Sequence, residues 1–157
     1  MIEGVRILDI KEIKDRRGFL AEIFRQDWKD FVGKDRIAQA NISVILPGVV
    51  KAWHRHRRGQ VDYFVVLNGT IKLCAYEGKK KLFSEIMLTG DKLQIARIPG
   101  HYWHGLKNMS PFPTTYIYFV TKLYDYKNPD EGRKEWDDKG IGYDWKEEYN
   151  DHHSEQD

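Results

Sequence analysis

His54 and His56 stand two residues apart, Asp62 follows shortly after, and His104 arrives within Ile98-Pro99-Gly100-His101-Tyr102-Trp103-His104-Gly105. Imidazole changes charge near neutral pH and is also the commonest nitrogen ligand of metal ions. Three such rings and a carboxylate can therefore do one of two things. They can move a proton to and from a substrate atom, or they can hold a divalent ion. Either use requires that they share one cavity.

The local sequence offers a way to bring them together. Residues 48–69 read GVVKAWHRHRRGQVDYFVVLNG, apolar or alternating in the manner of β-strands. Side chains two apart on a strand face the same way, so His54 and His56 are expected to look into one hollow. Further strand-like runs cover 40–46, 49–53, 62–67, 71–76, 83–88, 93–98 and 114–121, separated by turn signals such as Pro47-Gly48, Thr89-Gly90-Asp91 and Pro99-Gly100. Asn68-Gly69 reads as the strongest hairpin signal of the set. About eight strands at this spacing predict an all-β sandwich or barrel, with the jelly roll as the natural choice. A helical period is expected only around 21–31. After Tyr126 the chain turns polar, yet Trp136, Ile141 and Trp145 need burial. This segment is expected to wrap over the barrel, with the last several residues frayed. Lys79-Lys80-Lys81 reads as a solvated hairpin tip.

Bulk properties narrow the function classes. The 157 residues suit a single domain, 1–157, with a real core. A net charge of +2 gives no reason to expect a nucleic-acid partner. The single cysteine, Cys74, excludes an internal disulfide and sits in an apolar run as a core residue. No long apolar span suggests a membrane partner, and a cytoplasmic location is the expectation. Aromatic residues, at 13%, fit a β-rich fold or a pocket that stacks flat ligands.

Several motifs, taken in order, resemble the dTDP-4-dehydrorhamnose 3,5-epimerase family of the cupin superfamily. Asp15-Arg16-Arg17-Gly18-Phe19-Leu20-Ala21-Glu22 is similar to its D-x-R-G-x-F-x-E opening. Gln39-Ala40-Asn41-Ile42-Ser43 is similar to Q-x-N-x-S, and Lys51-Ala52-Trp53-His54 stands where the family reads R-G-L-H. Trp103-His104-Gly105 resembles A-H-G, and Tyr118-Phe119-Val120-Thr121 resembles Y-K-x-T. Pro129-Asp130-Glu131 and Trp136-Asp137-Asp138 match late family elements. The resemblance implies a cupin jelly roll (double-stranded β-helix) acting without a cofactor, as a homodimer, on a dTDP-4-keto-6-deoxy sugar in deoxysugar and polysaccharide biosynthesis. It implies His54 as base, Tyr118 as acid and His104 as a residue that shapes or polarises the site. It also implies Arg17 and Lys51 on the diphosphate, Phe19 and Glu22 on the thymine, and Gln39 and Asn41 as further polar contacts, with His56 and Asp62 beside the sugar.

The chain departs from the family at telling places. A lysine that assists the enolate oxygen falls on Asp62, and the glutamine of R-G-L-H-x-Q becomes His56. Trp53 replaces a leucine, and Lys51 replaces an arginine, losing its bidentate fork. The family's orienting aspartate lies in an S-E-K-D element, which Ser154-Glu155-Gln156-Asp157 resembles. Other readings therefore stay open. One is a nucleotide-sugar 3,4-ketoisomerase, which shares the H-x-H. Another is a metal-dependent cupin enzyme, in which His54, His56, Asp62 and His104 would be the ligands. A third is a non-catalytic sugar-nucleotide-binding cupin.

Overall fold

The computed structural model describes residues 1–146. In chain order the strands are β1 (Arg6–Asp9), β2 (Glu12–Asp15), β3 (Gly18–Ala21), β4 (Gln39–Ile45), β5 (Val50–Arg55), β6 (Val61–Asn68), β7 (Thr70–Glu77), β8 (Leu82–Thr89), β9 (Gln94–Pro99), β10 (Trp103–Asn108), β11 (Thr114–Val120) and β12 (Gly132–Arg133). A single turn of helix, α1 (Lys29–Val32), is all that forms of the helix expected around 21–31. Phe24, Trp28 and Phe31 instead lie over Tyr63 and Phe119 as an aromatic cover.

Two five-stranded antiparallel sheets face each other, in the orders β1-β9-β6-β11-β4 and β12-β5-β10-β7-β8. From β4 to β12 nearly every connection carries the chain from one sheet to the other, which is the winding of a jelly roll. The expected hairpin at Asn68-Gly69 is one of these crossings, because β6 and β7 belong to different sheets. Gly69 adopts φ +74°, and a Cβ there would lie 2.2 Å from Thr114 Oγ1. Asn68 uses its side chain on the neighbouring segment, donating to the Pro113 carbonyl and accepting from the Thr115 N–H. The turn chemistry was legible, but its partner was a third strand rather than the returning one. The Lys79-Lys80-Lys81 tip does join a true hairpin, β7 to β8, and is exposed.

Each sheet has an outer cover. Val61, Tyr63 and Val65 on β6 pack outward against the N-terminal aromatic segment. On the other sheet, Trp53, Cys74 and Tyr76 pack against Ile141 and Trp145. The C-terminal segment therefore wraps the barrel as expected, and Cys74 lies in the core. Trp136 is an exception: its ring is 43% exposed and only its carbonyl is used, accepting from the Trp53 indole N–H at 3.2 Å.

Between the sheets, one end is filled by Ile45, Val66, Ile71, Leu73, Leu88 and Tyr116. The pairings Val120–Asp62 and Gln39–Val120 mark the opposite end, where polar residues replace apolar ones on the inner face. That end holds a cavity of about 620 Å³.

Candidate active site

The period of two along each strand selects the cavity lining. From β4 come Gln39, Asn41 and Ser43, from β6 Asp62 and Phe64, and from β11 Tyr116, Tyr118 and Val120. From β5 come Lys51 and His54, with His56 just past its end. Lys51 and His54 differ in parity, yet both face inward. The β5–β10 register explains this: His104 pairs with His54 and Leu106 with Lys51, so β5 carries one extra residue at a bulge. Trp53 consequently points away from the cavity, fully buried against Tyr143 and Trp145, and its bulk costs the substrate no room.

The structure brings His54, His56, Asp62, His104, Tyr118, Lys51, Gln39 and Asn41 to one cavity. Arg17, Phe19 and Glu22 do not line it. They sit on or next to the β2–β3 hairpin, where Arg17 pairs with Asp15 at 2.6 Å, Glu22 with Arg25 at 3.2 Å, and Phe19 is 58% exposed.

His54 and Tyr118 occupy facing sheets, β5 and β11, with the cavity between them. Burial pushes the His54 imidazole below its ordinary value of 6.5, and the Glu131 carboxylate only partly offsets this. His54 is therefore neutral at pH 7 with a lone pair available. Its Nδ1 lies 3.0 Å from Glu131 Oε1, off the line of a true hydrogen bond, so the contact is electrostatic. A carboxylate beside Nδ1 favours the tautomer with the proton there, which leaves the lone pair on Nε2. Glu131 is itself held by Arg133 at 2.7 Å. Burial raises the Tyr118 hydroxyl above its ordinary value, as do Tyr116, Asp62 and Glu131, so it stays protonated and can act as an acid.

The remaining titratable groups form a second cluster. Asp62 Oδ2 meets His104 Nε2 at 3.0 Å and His56 Nε2 at 3.4 Å. Burial alone would raise the Asp62 carboxyl, but the two imidazoles outweigh it and hold the carboxyl well below the usual range. Burial lowers His56, and the facing Asp62 and Asp130 groups more than reverse that, raising it. The four-ligand set suggested by the sequence is corrected here. His56, Asp62 and His104 converge, with donor atoms within 4.8 Å of one another, whereas His54 turns to Glu131.

Glu131 is the residue that sequence reasoning gave no role. Its signal was the Pro129-Asp130-Glu131 match to a late family element, but its contact with His54 depends on β12 pairing with β5, which places Arg133 opposite His54. Asp130 and Gln60 were missed too, and act on the same cluster through the contacts His56 Nδ1–Asp130 O, at 2.6 Å, and Gln60 Nε2–Asp62 Oδ1, at 2.7 Å. The Ser154-Glu155-Gln156-Asp157 match, proposed to orient the base, lies outside the described residues, as do the last several residues expected to fray.

A family model described as dTDP-4-dehydrorhamnose 3,5-epimerase matches residues 1–157. The chain belongs to that family. The family's members are dTDP-sugar epimerases, which places the protein in the isomerase class. The chain is 38% identical to the probable low-salt glycan biosynthesis epimerase Agl13 of Haloferax volcanii, over 94% of this chain and 96% of that one. It is 34% identical to the spore coat polysaccharide biosynthesis protein SpsL of Bacillus subtilis, over 95% and 99%. The fold matches the dTDP-6-deoxy-D-glucose-3,5-epimerase of Legionella pneumophila, solved with dTDP-4-keto-L-rhamnose, with a TM-score of 0.81 at 24% identity over 92% of this chain and 80% of that one. Among the described residues, no helix is long and apolar enough to cross a membrane.

The base role expected of His54 would give its shift a kinetic consequence. Protonation removes the lone pair that would take the substrate proton. The rate of turnover at low substrate should be flat above pH 6.5. It should fall about tenfold per pH unit once the pH passes below the His54 pKa, which lies under 6.5. A pH–rate profile of kcat/KM checks this, and a limb centred above 6.5 would point to a different base.

Proposed function

We propose that this epimerase inverts carbon centres next to the ketone of a dTDP-4-keto-6-deoxy sugar, in the cytoplasm, as a step of polysaccharide or glycan biosynthesis. The observation that carries this reading is the placement of a neutral imidazole and a protonated phenol on opposite walls of one cavity. The ketone acidifies the carbons beside it. His54 takes the proton from one face, and the C–H electron pair becomes the enolate double bond as charge moves to the ketone oxygen. Tyr118 then gives its proton to the same carbon from the other face. The imidazolium loses its proton to solvent and the phenolate regains one, so the enzyme returns to its starting state. The chemistry of abstraction and return is complete without a redox partner.

The polar wall of β4 and β5 suits the nucleotide. Lys51 Nζ donates to Ser43 Oγ at 3.1 Å and offers its charge to the diphosphate. Gln39 and Asn41 are already hydrogen-bonded to one another at 2.9 Å. Arg17, Phe19 and Glu22 enter this reading through a second copy. β4 is an edge strand whose outward face exposes Ile42 and Val44, and Leu46 just beyond it and Ile13, Phe19 and Leu20 on the hairpin are exposed as well. A homodimer through this edge covers that apolar surface and carries each hairpin toward the partner's cavity.

The test incubates the protein with the dTDP-4-keto-6-deoxy sugar in deuterium oxide and follows the sugar by NMR. Deuterium entering at carbons 3 and 5 with inversion is the expected result. Migration of the carbonyl would instead mark a ketoisomerase, and no exchange at all would mark a binding protein. The shared site has its own check. Arg17→Ala and His54→Asn homodimers should each be weak, and mixing them after subunit exchange should restore activity, because half of the mixed population then holds one intact site. No recovery in mixtures shown to exchange subunits would rule out a hairpin acting across the dimer.

A further inference from the structure

We propose that His56, Asp62 and His104 form a binding site for one first-row divalent transition-metal ion. The proposal goes beyond the epimerase reading, and whether the ion binds does not depend on that reading. The argument starts from tautomers. His104 Nδ1 lies 3.0 Å from the Tyr102 carbonyl oxygen, and His56 Nδ1 lies 2.6 Å from the Asp130 carbonyl oxygen. A carbonyl oxygen can only accept, so each Nδ1 carries the proton and donates it. In a neutral imidazole the lone pair is then on Nε2. Both Nε2 atoms face the same Asp62 Oδ2, at 3.0 and 3.4 Å. Two lone pairs aimed at an anionic oxygen repel unless positive charge sits among them, supplied either by an added proton on each ring or by a metal ion.

The two distances from the imidazoles to Asp62 fit an ion in that place, and the three donor atoms all lie within 4.8 Å of one another. Two donors bound at about 2.0–2.2 Å and separated by 90–109° stand roughly 2.9–3.5 Å apart. Each ligand also has the outer partner that metal ligands need to hold their orientation: the Tyr102 carbonyl for His104, the Asp130 carbonyl for His56, and Gln60 Nε2, at 2.7 Å, for Asp62 Oδ1. All three ligands line the cavity, so open coordination positions face it. Two imidazoles and one carboxylate with vacant sites suit zinc, cobalt, iron or manganese.

Two substitutions support the same conclusion. In the sequence, positions 56 and 62 read as departures from the glutamine and lysine of the family pattern, and Asp62 is where both His56 and His104 converge. Asp62 removes a positive charge from the site and adds a negative one where an enolate must form. A cation held by the new residues restores the sign. When bound, such an ion supplies Lewis-acid charge toward a substrate oxygen in the cavity. His54 remains outside the ligand set, directed at Glu131.

The test strips the full-length protein with a chelator and titrates it with Zn²⁺ by calorimetry, with Co²⁺ as a visible-absorption probe. One equivalent of Zn²⁺, a rise in melting temperature and Co²⁺ d–d bands are expected. Asp62→Asn and His56→Gln should each weaken Zn²⁺ binding by more than about a hundredfold, since even the loss of an outer partner costs about 10- to 100-fold. If Asp62→Asn does not fold, His56→Gln decides alone. His54→Asn should bind Zn²⁺ like the parent while losing epimerisation, so failure of the metal site and failure of the catalytic reading are separable. No saturable binding of either ion at about 1 mM, together with nitrogen NMR showing protons on both Nε2 atoms, would overturn the proposal and assign the charge to protons.

Discussion

His54→Asn should lower kcat by about a hundred- to ten-thousand-fold, the range that a positioned base contributes, or about 3 to 5 kcal/mol of barrier. Deuterium incorporation should fall in parallel, because no other side chain described at the cavity combines a depressed basicity with Glu131 behind it. The imidazole is one-third exposed, so the shorter amide should leave the fold intact. An unchanged melting temperature would separate lost chemistry from lost structure. KM should move little, since in the proposed reading the ring meets the sugar while Lys51, Gln39 and Asn41 meet the nucleotide. Normal deuterium exchange in this variant would remove His54 from the mechanism.

Tyr118→Phe should also lower epimerisation by about a hundredfold or more, but with a different signature. Abstraction by His54 survives, so the carbon next to the ketone should still exchange with solvent. Inversion should fail, because the proton can return only from the face it left. Tyr118 packs on Phe64 in a stacked pair, with centroids 6.0 Å apart, and phenylalanine preserves that contact. The ring therefore stays in place and only the hydroxyl is lost. Exchange without inversion is the decisive readout. Retained inversion would move the acid role to another group, with Tyr116 the neighbour to examine next at 6.0 Å.

The pairing of these two outcomes follows from sheet topology. β5 and β11 have no hydrogen bond between them and belong to opposite layers. In the proposed reading, a substrate ring lying between them meets one group on each face. Had both groups stood on one strand, they could serve only one face of the sugar.

The sequence by itself determined seven of the eight strands from β4 to β11, because β-structure is written in a period of two that survives without tertiary information, whereas the four-residue strands β1–β3 were too short to show one. Runs such as 62–67 and 71–76 became β6 and β7 with ends moved by one residue. It also determined the residue types of the site, since imidazole, phenol and carboxylate chemistry does not depend on the fold. The strand 103–108 escaped because Trp103-His104-Gly105 carries no clean alternation, and β12 escaped because two residues carry no period at all.

Only the tertiary structure decided how those groups are partnered. His54 was linked by its spacing to His56, yet its carboxylate is Glu131, brought in by the β12–β5 pairing. His56 belongs instead with Asp62 and His104, which arrive on β6 and β10 from different sheets. The Pro99-Gly100 turn lets this happen: a Cβ on Gly100 would stand 2.4 Å from the Gln60 carbonyl and 3.0 Å from the His56 ring. Strand period sets which way a side chain points, but long-range pairing sets what it meets. Whether a histidine faces a carboxylate, a carbonyl or an open cavity then decides if it takes a proton, holds one, or binds an ion.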